Sequence, residues 1–292
     1  MPISKPSARK VLMDAAIADM DSDAADALEK RFLNQLVLAN GTLKTTFARR
    51  LTDVDALCNE YLRALGEPVR LLDVAVSSGI TTWEWVQALD AAGIDFELDA
   101  FDLCVDASIV SLGERLHVLC DSGGRPLQFE VSGRTIENTF GETWGRRLRR
   151  ALPVTALRAW FALRSGSADS RTPVQLVTRH LRDPGRIRVF EYDLQNVREL
   201  ESRYAMIRTA NILNLAYFDR RFLEKSIADL ASRLLGGGYL CIVRTHHDGS
   251  NHGTLFQRTE AGLEVVARIG DGSEVEAEAL GDTVTTGLSG SA

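Results

Sequence analysis

The stretch Leu71-Leu72-Asp73-Val74-Ala75-Val76-Ser77-Ser78-Gly79-Ile80-Thr81-Thr82 constrains the fold more than any other part of the chain. An apolar strand runs into small residues and then opens a helix. That succession is the unit of a doubly wound parallel sheet, and tiny side chains in the turn let a ligand approach the backbone. The next apolar run, Phe96 to Phe101, closes on Asp102, 29 residues after Asp73. In such sheets an acid there meets the ribose hydroxyls of an adenosine. Of Ala75, Ser77 and Gly79 only the last is glycine, and the turn has no basic residue. It therefore suits a ligand with a single carboxylate better than a dinucleotide with a pyrophosphate.

The periodicities around this unit are those of an α/β chain. Leu28, Phe32, Leu36 and Ala39 predict a helix stopped by Asn40-Gly41. Thr52 and Asp55 read as a capping box for a second helix with Leu57, Tyr61 and Leu65 as its stripe, ended by Gly66 and Pro68. Strands are expected at 69–76, 96–101, 187–192, 205–209 and 239–245, with helices at 81–92, where Trp83 and Trp85 read as packing residues, and 220–235. Thr254 to Thr259 and Leu263 to Ile269 read as an antiparallel hairpin at the sheet edge. The expected fold is thus a Rossmann-like sheet of parallel strands plus a C-terminal antiparallel hairpin. Residues 1–66 form a leader and helical cap, 67–106 and 186–281 the sheet domain, 107–185 an insertion after the second strand, and 282–292 a flexible tail. Within the insertion, 115–131 reads as a hairpin around Asp121-Ser122-Gly123-Gly124.

Charge is unevenly spread. The chain carries a net -6, yet Trp144 to Arg188 holds 11 arginines, no lysine and two acids, a local +9 against -15 elsewhere. Arg146, Arg147, Arg149 and Arg150 precede Pro153, and Leu157, Arg158, Trp160, Phe161, Leu163 and Arg164 follow it. The island reads as a solvated face over a packing stripe, a rim for an anionic substrate, a membrane-surface helix or a homodimer contact. The overall balance gives no general affinity for nucleic acid. The four cysteines form no C-x-x-C pair, the first residues carry no secretory signal, and no uncharged stretch approaches the roughly 20 residues of a membrane span, so a soluble cytoplasmic protein is expected.

Several segments together resemble the class I S-adenosylmethionine-dependent methyltransferases and, within them, the chemotaxis receptor glutamate methyltransferase family. They are Thr45-Thr46-Phe47-Ala48-Arg49, Ala75 to Gly79, Phe101-Asp102-Leu103, Val189 to Leu194, Arg208-Thr209-Ala210-Asn211 with Tyr217-Phe218-Asp219, and Gly237-Gly238-Tyr239-Leu240. The resemblance implies S-adenosylmethionine as cofactor, with Asp102 on the ribose, Leu103 next to it among the cofactor-binding residues, Asp193 and Leu194 beside the adenine, and Asn211 near the methionine part. Arg49 would meet the methionine carboxylate or orient the acceptor, and Asp73, Ala75, Ser77 and Gly79 would shape the cradle. Thr209-Ala210 stands where that family has Cys-Arg, so its acceptor chemistry does not carry over with the cofactor site.

Three of the five histidines fall in His246-His247-Asp248-Gly249-Ser250-Asn251-His252, just past the last parallel strand. There His246 or His247 can take a proton from a hydroxyl or amine acceptor, or belong to a solvated loop. Adjacent histidines seldom converge on one ion, so no metal site is expected. Tyr217 is a third candidate for the pocket. The sequence thus points to methyl transfer to a small, anionic acceptor on oxygen or nitrogen. Protein carboxylate methylation and a non-catalytic cofactor-binding regulatory module are the alternatives.

Overall fold

The computed structural model describes residues 6–13, 20–39, 41–44, 46–66, 68–137, 155–164, 166, 170–182, 185–201 and 203–281. The expected tail at 282–292, Asn40, Thr45, and 138–154 with Trp144, Arg146, Arg147, Arg149, Arg150 and Pro153 lie outside the described residues.

The elements in chain order begin with α1 (Ala8–Leu12), α2 (Ser22–Gln35), α3 (Thr52–Arg63), β1 (Val69–Val74), α4 (Ile80–Ala91) and β2 (Phe96–Asp102). Then come β3 (Asp106–Leu112), β4 (Leu116–Asp121), β5 (Pro126–Val131), β6 (Arg134–Glu137), the helical segment α5 (155–164) and β7 (Ser170–Gln175). The last are β8 (Ile187–Glu191), β9 (Tyr204–Ala210), α6 (Arg220–Ser232), β10 (Leu234–Thr245), β11 (Asn251–Arg258), β12 (Leu263–Ile269) and α7 (Glu276–Leu280). They divide into two bodies, one of Met1–Thr46, Ser77–Gly79 and Cys104–Arg182, the other of Phe47–Val76, Ile80–Leu103 and Asp183–Ala292.

The second body holds a seven-stranded sheet in the order β12-β11-β10-β9-β1-β2-β8. The five strands from β8 to β10 are parallel, and β11 and β12 close the edge antiparallel. This is the Rossmann-like sheet with a C-terminal hairpin that the sequence predicts. From β1 the chain proceeds to β2 and β8 on one side and to β9 and β10 on the other, so the order reverses between β1 and β9. Alternation along β1 sends Val69 and Leu71 into one apolar cluster and Leu72 and Val74 into another. Trp85, Val86 and Leu89 of α4 and Val54, Cys58 and Leu62 of α3 fill the first; Leu223, Ile227 and Leu230 of α6 fill the second. Each such side chain contributes about 1.5–3 kcal/mol when removed from water. Asp219 caps α6, its Oδ1 accepting from Phe222 N at 2.8 Å.

α3 differs in detail from its reading. Its N-cap is Leu51, with no side-chain cap bond, and its inward face is Val54, Asp55, Cys58, Asn59 and Leu62, with Leu57 and Tyr61 only partly buried. Asp55 lies on that face next to Val54 and pairs with Arg208. An acid that finds a buried cation has a stronger partner than its own helix end.

The first body is built on an antiparallel sheet in the order β6-β5-β4-β3-β7. The expected hairpin is β4–β5, but strands on either side extend it into a sheet. Ala8 and Val11 of α1 and Phe32 and Leu33 of α2 pack with Ile109, Leu119 and Leu127. Phe161 and Leu157 of α5 pack with Val110, Val118 and Phe129. Residues 1–46 therefore belong with this sheet and α3 with the other body, whereas the sequence reading joined 1–66 as one cap.

The last third of the arginine island is not a free basic face. Within the first body Arg179 pairs with Asp26 at 2.8 Å and Arg182 with the buried Glu29 at 2.6 Å. Within the second, Arg186 pairs with Asp90 at 2.5 Å and Arg188 with Asp99 at 2.8 Å. The partner acids are about 90 to 150 residues distant in sequence, so a local charge count cannot see them. Among the described residues no helix is long and apolar enough to cross a membrane.

Candidate cofactor site

In an open doubly wound sheet, ligands bind beyond the carboxyl ends of the strands at the point where the order reverses. At that end of the second body β1 and β2 run in register to Val74 and Phe101, and Val76 N donates to Phe101 O at 3.1 Å. The turn that starts at Ala75 is thereby held beside Asp102. Ala75 and Ser77 adopt φ of 57° and 55°, left-handed values that cost a residue with a Cβ about 1–3 kcal/mol each.

Asp102 is half-buried at the end of β2 and its carbonyl accepts from Tyr192 N at 3.0 Å, which fixes the end of β8 beside it. Leu103 is exposed next to it. Phe101, Phe190 and Tyr192 pack edge-on or tilted, with centroids 5.7–5.9 Å apart. Asp193 opens a 3-10 turn at Leu194, and its Oδ1 accepts from Gln195 N at 2.9 Å. Both are half-buried. Asn211, just past β9, takes φ 63°, which Asn tolerates better than most residues. Its Oδ1 accepts from Thr245 N at 2.7 Å. Thr245 Oγ1 donates to Asn251 Oδ1 at 2.8 Å, and Asn251 Nδ2 donates to Arg50 O at 2.5 Å and Asp53 Oδ1 at 2.6 Å. The ends of β9, β10 and β11 and the residues before α3 are thus tied into one polar chain.

That chain ends on the arginine next to the expected one. Arg49 is exposed, in a left-handed conformation, and its backbone N–H donates to Glu84 Oε1 and Oε2 at 2.8 and 2.9 Å. Arg50 is half-buried, and its Nε is sealed from solvent with no hydrogen-bond partner among the described residues. Burial pulls its pKa down, Arg208 repels it further, and Asp73 and Glu84 oppose both. Asp73 and Glu84 thus supply the negative charge felt by Arg50, while its Nε is left without a hydrogen-bond acceptor among the described residues.

Asp73 does not face this end of the sheet as a free acid. It is buried and accepts from Arg208 Nε at 3.0 Å, Arg208 Nη2 at 2.6 Å and Thr82 Oγ1 at 2.8 Å. Arg208 also binds Asp55 and lies 4.2 Å over the Trp85 ring. Burial pushes Asp55 up to about 7 despite Arg208, whereas Asp73 and Asp55 hold Arg208 above its ordinary value against burial.

Ser77 and Gly79 belong to the first body. There the fully buried Lys44 donates from Nζ to Ser77 O at 2.8 Å, and Thr178 N donates to Ser78 O at 2.8 Å. Gly79 has φ 75°, and a Cβ on it would lie 2.5 Å from Leu181 Cδ1. Glycine is required here by the backbone and by Leu181, so packing alone accounts for it.

The proposed proton acceptors lie in the exposed loops that follow β9 and β10. His246 and His247 are exposed in the β10–β11 turn, where His246 N donates to Ser250 O at 2.8 Å. The His246 ring rests on His252 at 4.4 Å, and His252 Nδ1 accepts from Asp271 N at 3.0 Å. Tyr217 is 70% exposed and packs edge-on against Phe218; Asn214 Oδ1 shapes its loop by accepting from Ala216 N and Tyr217 N at 3.1 Å. Among the described residues no group of three His, Cys, Asp or Glu side chains is placed to hold a metal ion.

No protein-family model and no curated protein matches this chain. Among solved structures it is similar to an O-methyltransferase family protein from Burkholderia thailandensis, at 13% identity over 81% of this chain and 45% of that one, with a TM-score of 0.34. It is also similar to the N-methyltransferase NodS from Bradyrhizobium japonicum in complex with S-adenosyl-L-homocysteine, at 10% identity over 74% and 72% of the two chains, with a TM-score of 0.34. The chain spans less than half the length of the Burkholderia protein. Neither is described as a receptor glutamate methyltransferase, and likenesses this distant carry no weight for the chemistry of this chain. The strand order and the loops at its carboxyl edge carry the reading instead.

Proposed function

We propose that the second body binds S-adenosylmethionine and that the protein transfers its methyl group to a small acceptor. The observation that carries this reading is the strained, glycine-poor turn at Ala75 held in register beside Asp102, next to the reversal of strand order. The donors suit the cofactor part by part. Asp102 accepts from the ribose hydroxyls, the edge formed by Leu103, Tyr192, Asp193 and Leu194 takes the adenine, and Asn211 lies toward the methionine part. Arg50, whose Nε has no hydrogen-bond acceptor among the described residues, meets the carboxylate in place of Arg49. The turn has neither the glycines nor the cation that a pyrophosphate would need.

S-adenosylmethionine supplies a methyl group on a sulfonium, which leaves by in-line displacement. The work left to the chain is to hold the acceptor in line and keep water away, with little need for acid-base machinery. His246 or His247 is the group available to take a proton from a hydroxyl or amine acceptor. A protein carboxylate acceptor has no observation in its favour here.

Asp102→Ala tests the assignment. Loss of charge-assisted hydrogen bonds to the ribose should weaken S-adenosylhomocysteine binding by about 1.5–3 kcal/mol, read by calorimetry. Unchanged affinity in a folded variant would remove Asp102 from the site and the reading with it.

A further inference from the structure

The first body contains a cavity of about 570 Å³ bounded by the chain at Val37–Ala39, the β4–β5 turn and α5. Leu38, Leu127, Phe161 and Ala162 make its apolar wall, and Arg125 and Arg158 line it as cations. Pockets that enclose small ligands run from about 300 to 1,000 Å³, mostly apolar with a few placed polar groups.

Arg125 is held in an unusual way for a surface arginine. Asp121, whose side chain is only 5% exposed, accepts the Arg125 backbone N–H and its Nε, both at 2.8 Å, while the Arg125 side chain remains 72% exposed. A buried carboxylate therefore fixes the plane of the guanidinium through one N–H. Its Nη groups make no hydrogen bond among the described residues. A guanidinium fork set in advance loses less freedom on binding, and its geometry matches the two oxygens of a carboxylate.

We propose that this cavity binds a small amphipathic carboxylate, its apolar body against Leu127 and Phe161 and its carboxylate on the Nη edge of Arg125, with Arg158 adding positive charge. This site stands apart from the cofactor reading and would hold with or without it.

The probes are 2-naphthoate and its neutral isostere 2-naphthamide, titrated calorimetrically into the full chain. We expect one naphthoate per chain and at least tenfold weaker binding of the amide. Arg125→Gln should weaken naphthoate at least tenfold and leave the amide within twofold. Ala162→Trp, which fills the cavity, should abolish both while S-adenosylhomocysteine affinity and the thermal midpoint stay as in the wild type. No naphthoate binding at millimolar concentration, equal affinity for acid and amide, or undiminished binding in Ala162→Trp would each overturn the proposal. None of these results bears on the cofactor site.

Discussion

Arg208 on β9 and Asp73 on β1 form a two-point ion pair closed to solvent: Nε donates to Oδ1 at 3.0 Å and Nη2 to Oδ2 at 2.6 Å. With Asp55 it links α3 to adjacent strands at the reversal of strand order. Removing the cation would leave two buried acids facing each other. Arg208→Met should therefore cost about 3–5 kcal/mol, read from urea unfolding. A loss below 1 kcal/mol would mean that the cluster is solvated.

Asp55 gives this cluster a pH dependence of unusual sign. Its folded pKa, pushed up to about 7 by burial, lies above the ordinary carboxyl value of about 3.9. The folded state therefore holds a proton that the unfolded chain has released, and the stabilisation is complete below pH 4 and lost as pH rises toward 7. Asp99 acts oppositely. Burial raises it, but Arg188, Tyr204 and Arg70 together hold it below its ordinary value, so its contribution is lost as pH falls through the acid range. Unfolding midpoints at pH 5 and 8 should differ for the wild type and converge for Asp55→Asn; an unchanged difference in that variant would assign the slope to other groups.

Gly79→Ala should destabilise the first body by about 1–3 kcal/mol, because the new Cβ meets Leu181 Cδ1 and the backbone is left-handed. The cost should shrink in a Leu181→Ala background. Equal costs in both backgrounds would show that Leu181 is not the obstacle.

Arg50 and Arg49 separate cleanly by ligand. Arg50→Gln should weaken S-adenosylhomocysteine about tenfold while leaving 5′-methylthioadenosine, which lacks the amino-acid part, unaffected. Arg49→Gln, whose backbone amide rather than its side chain is engaged with Glu84, should leave both unchanged. The reverse pattern would restore Arg49 to the role its sequence position suggests.

The sheet was legible because its signal is local: apolar runs, small-residue turns and the α6 stripe each lie within one element. Asp102 was legible for the same reason, as the acid that closes a strand. Arg49 and Arg50 are adjacent in sequence, and that Arg49 is exposed and left-handed while Arg50 is half-buried is visible only in the structure. Arg208, amid the apolar Ala205 to Ile207, and Asp73, flanked by Leu72 and Val74, were visible as charges inside strands, yet their pairing depends on which strands are neighbours. The first-body sheet was missed beyond its hairpin because polar residues break the apolar runs of its other strands: Asp106, Ser108 and Ser111 in β3, Arg134, Thr135 and Glu137 in β6, and Ser170, Arg171, Thr172 and Gln175 in β7. In the last third of the arginine island, Arg179, Arg182, Arg186 and Arg188 are paired with acids far away in sequence, which a local charge count does not see.

The central claim is that the carboxyl edge of the β1–β2 unit is an S-adenosylmethionine site. Its most direct test is calorimetric titration of the wild-type chain with S-adenosylhomocysteine and, separately, with NAD. The account predicts one S-adenosylhomocysteine per chain at micromolar affinity and no heat from NAD. Tight NAD binding with no response to S-adenosylhomocysteine would contradict it.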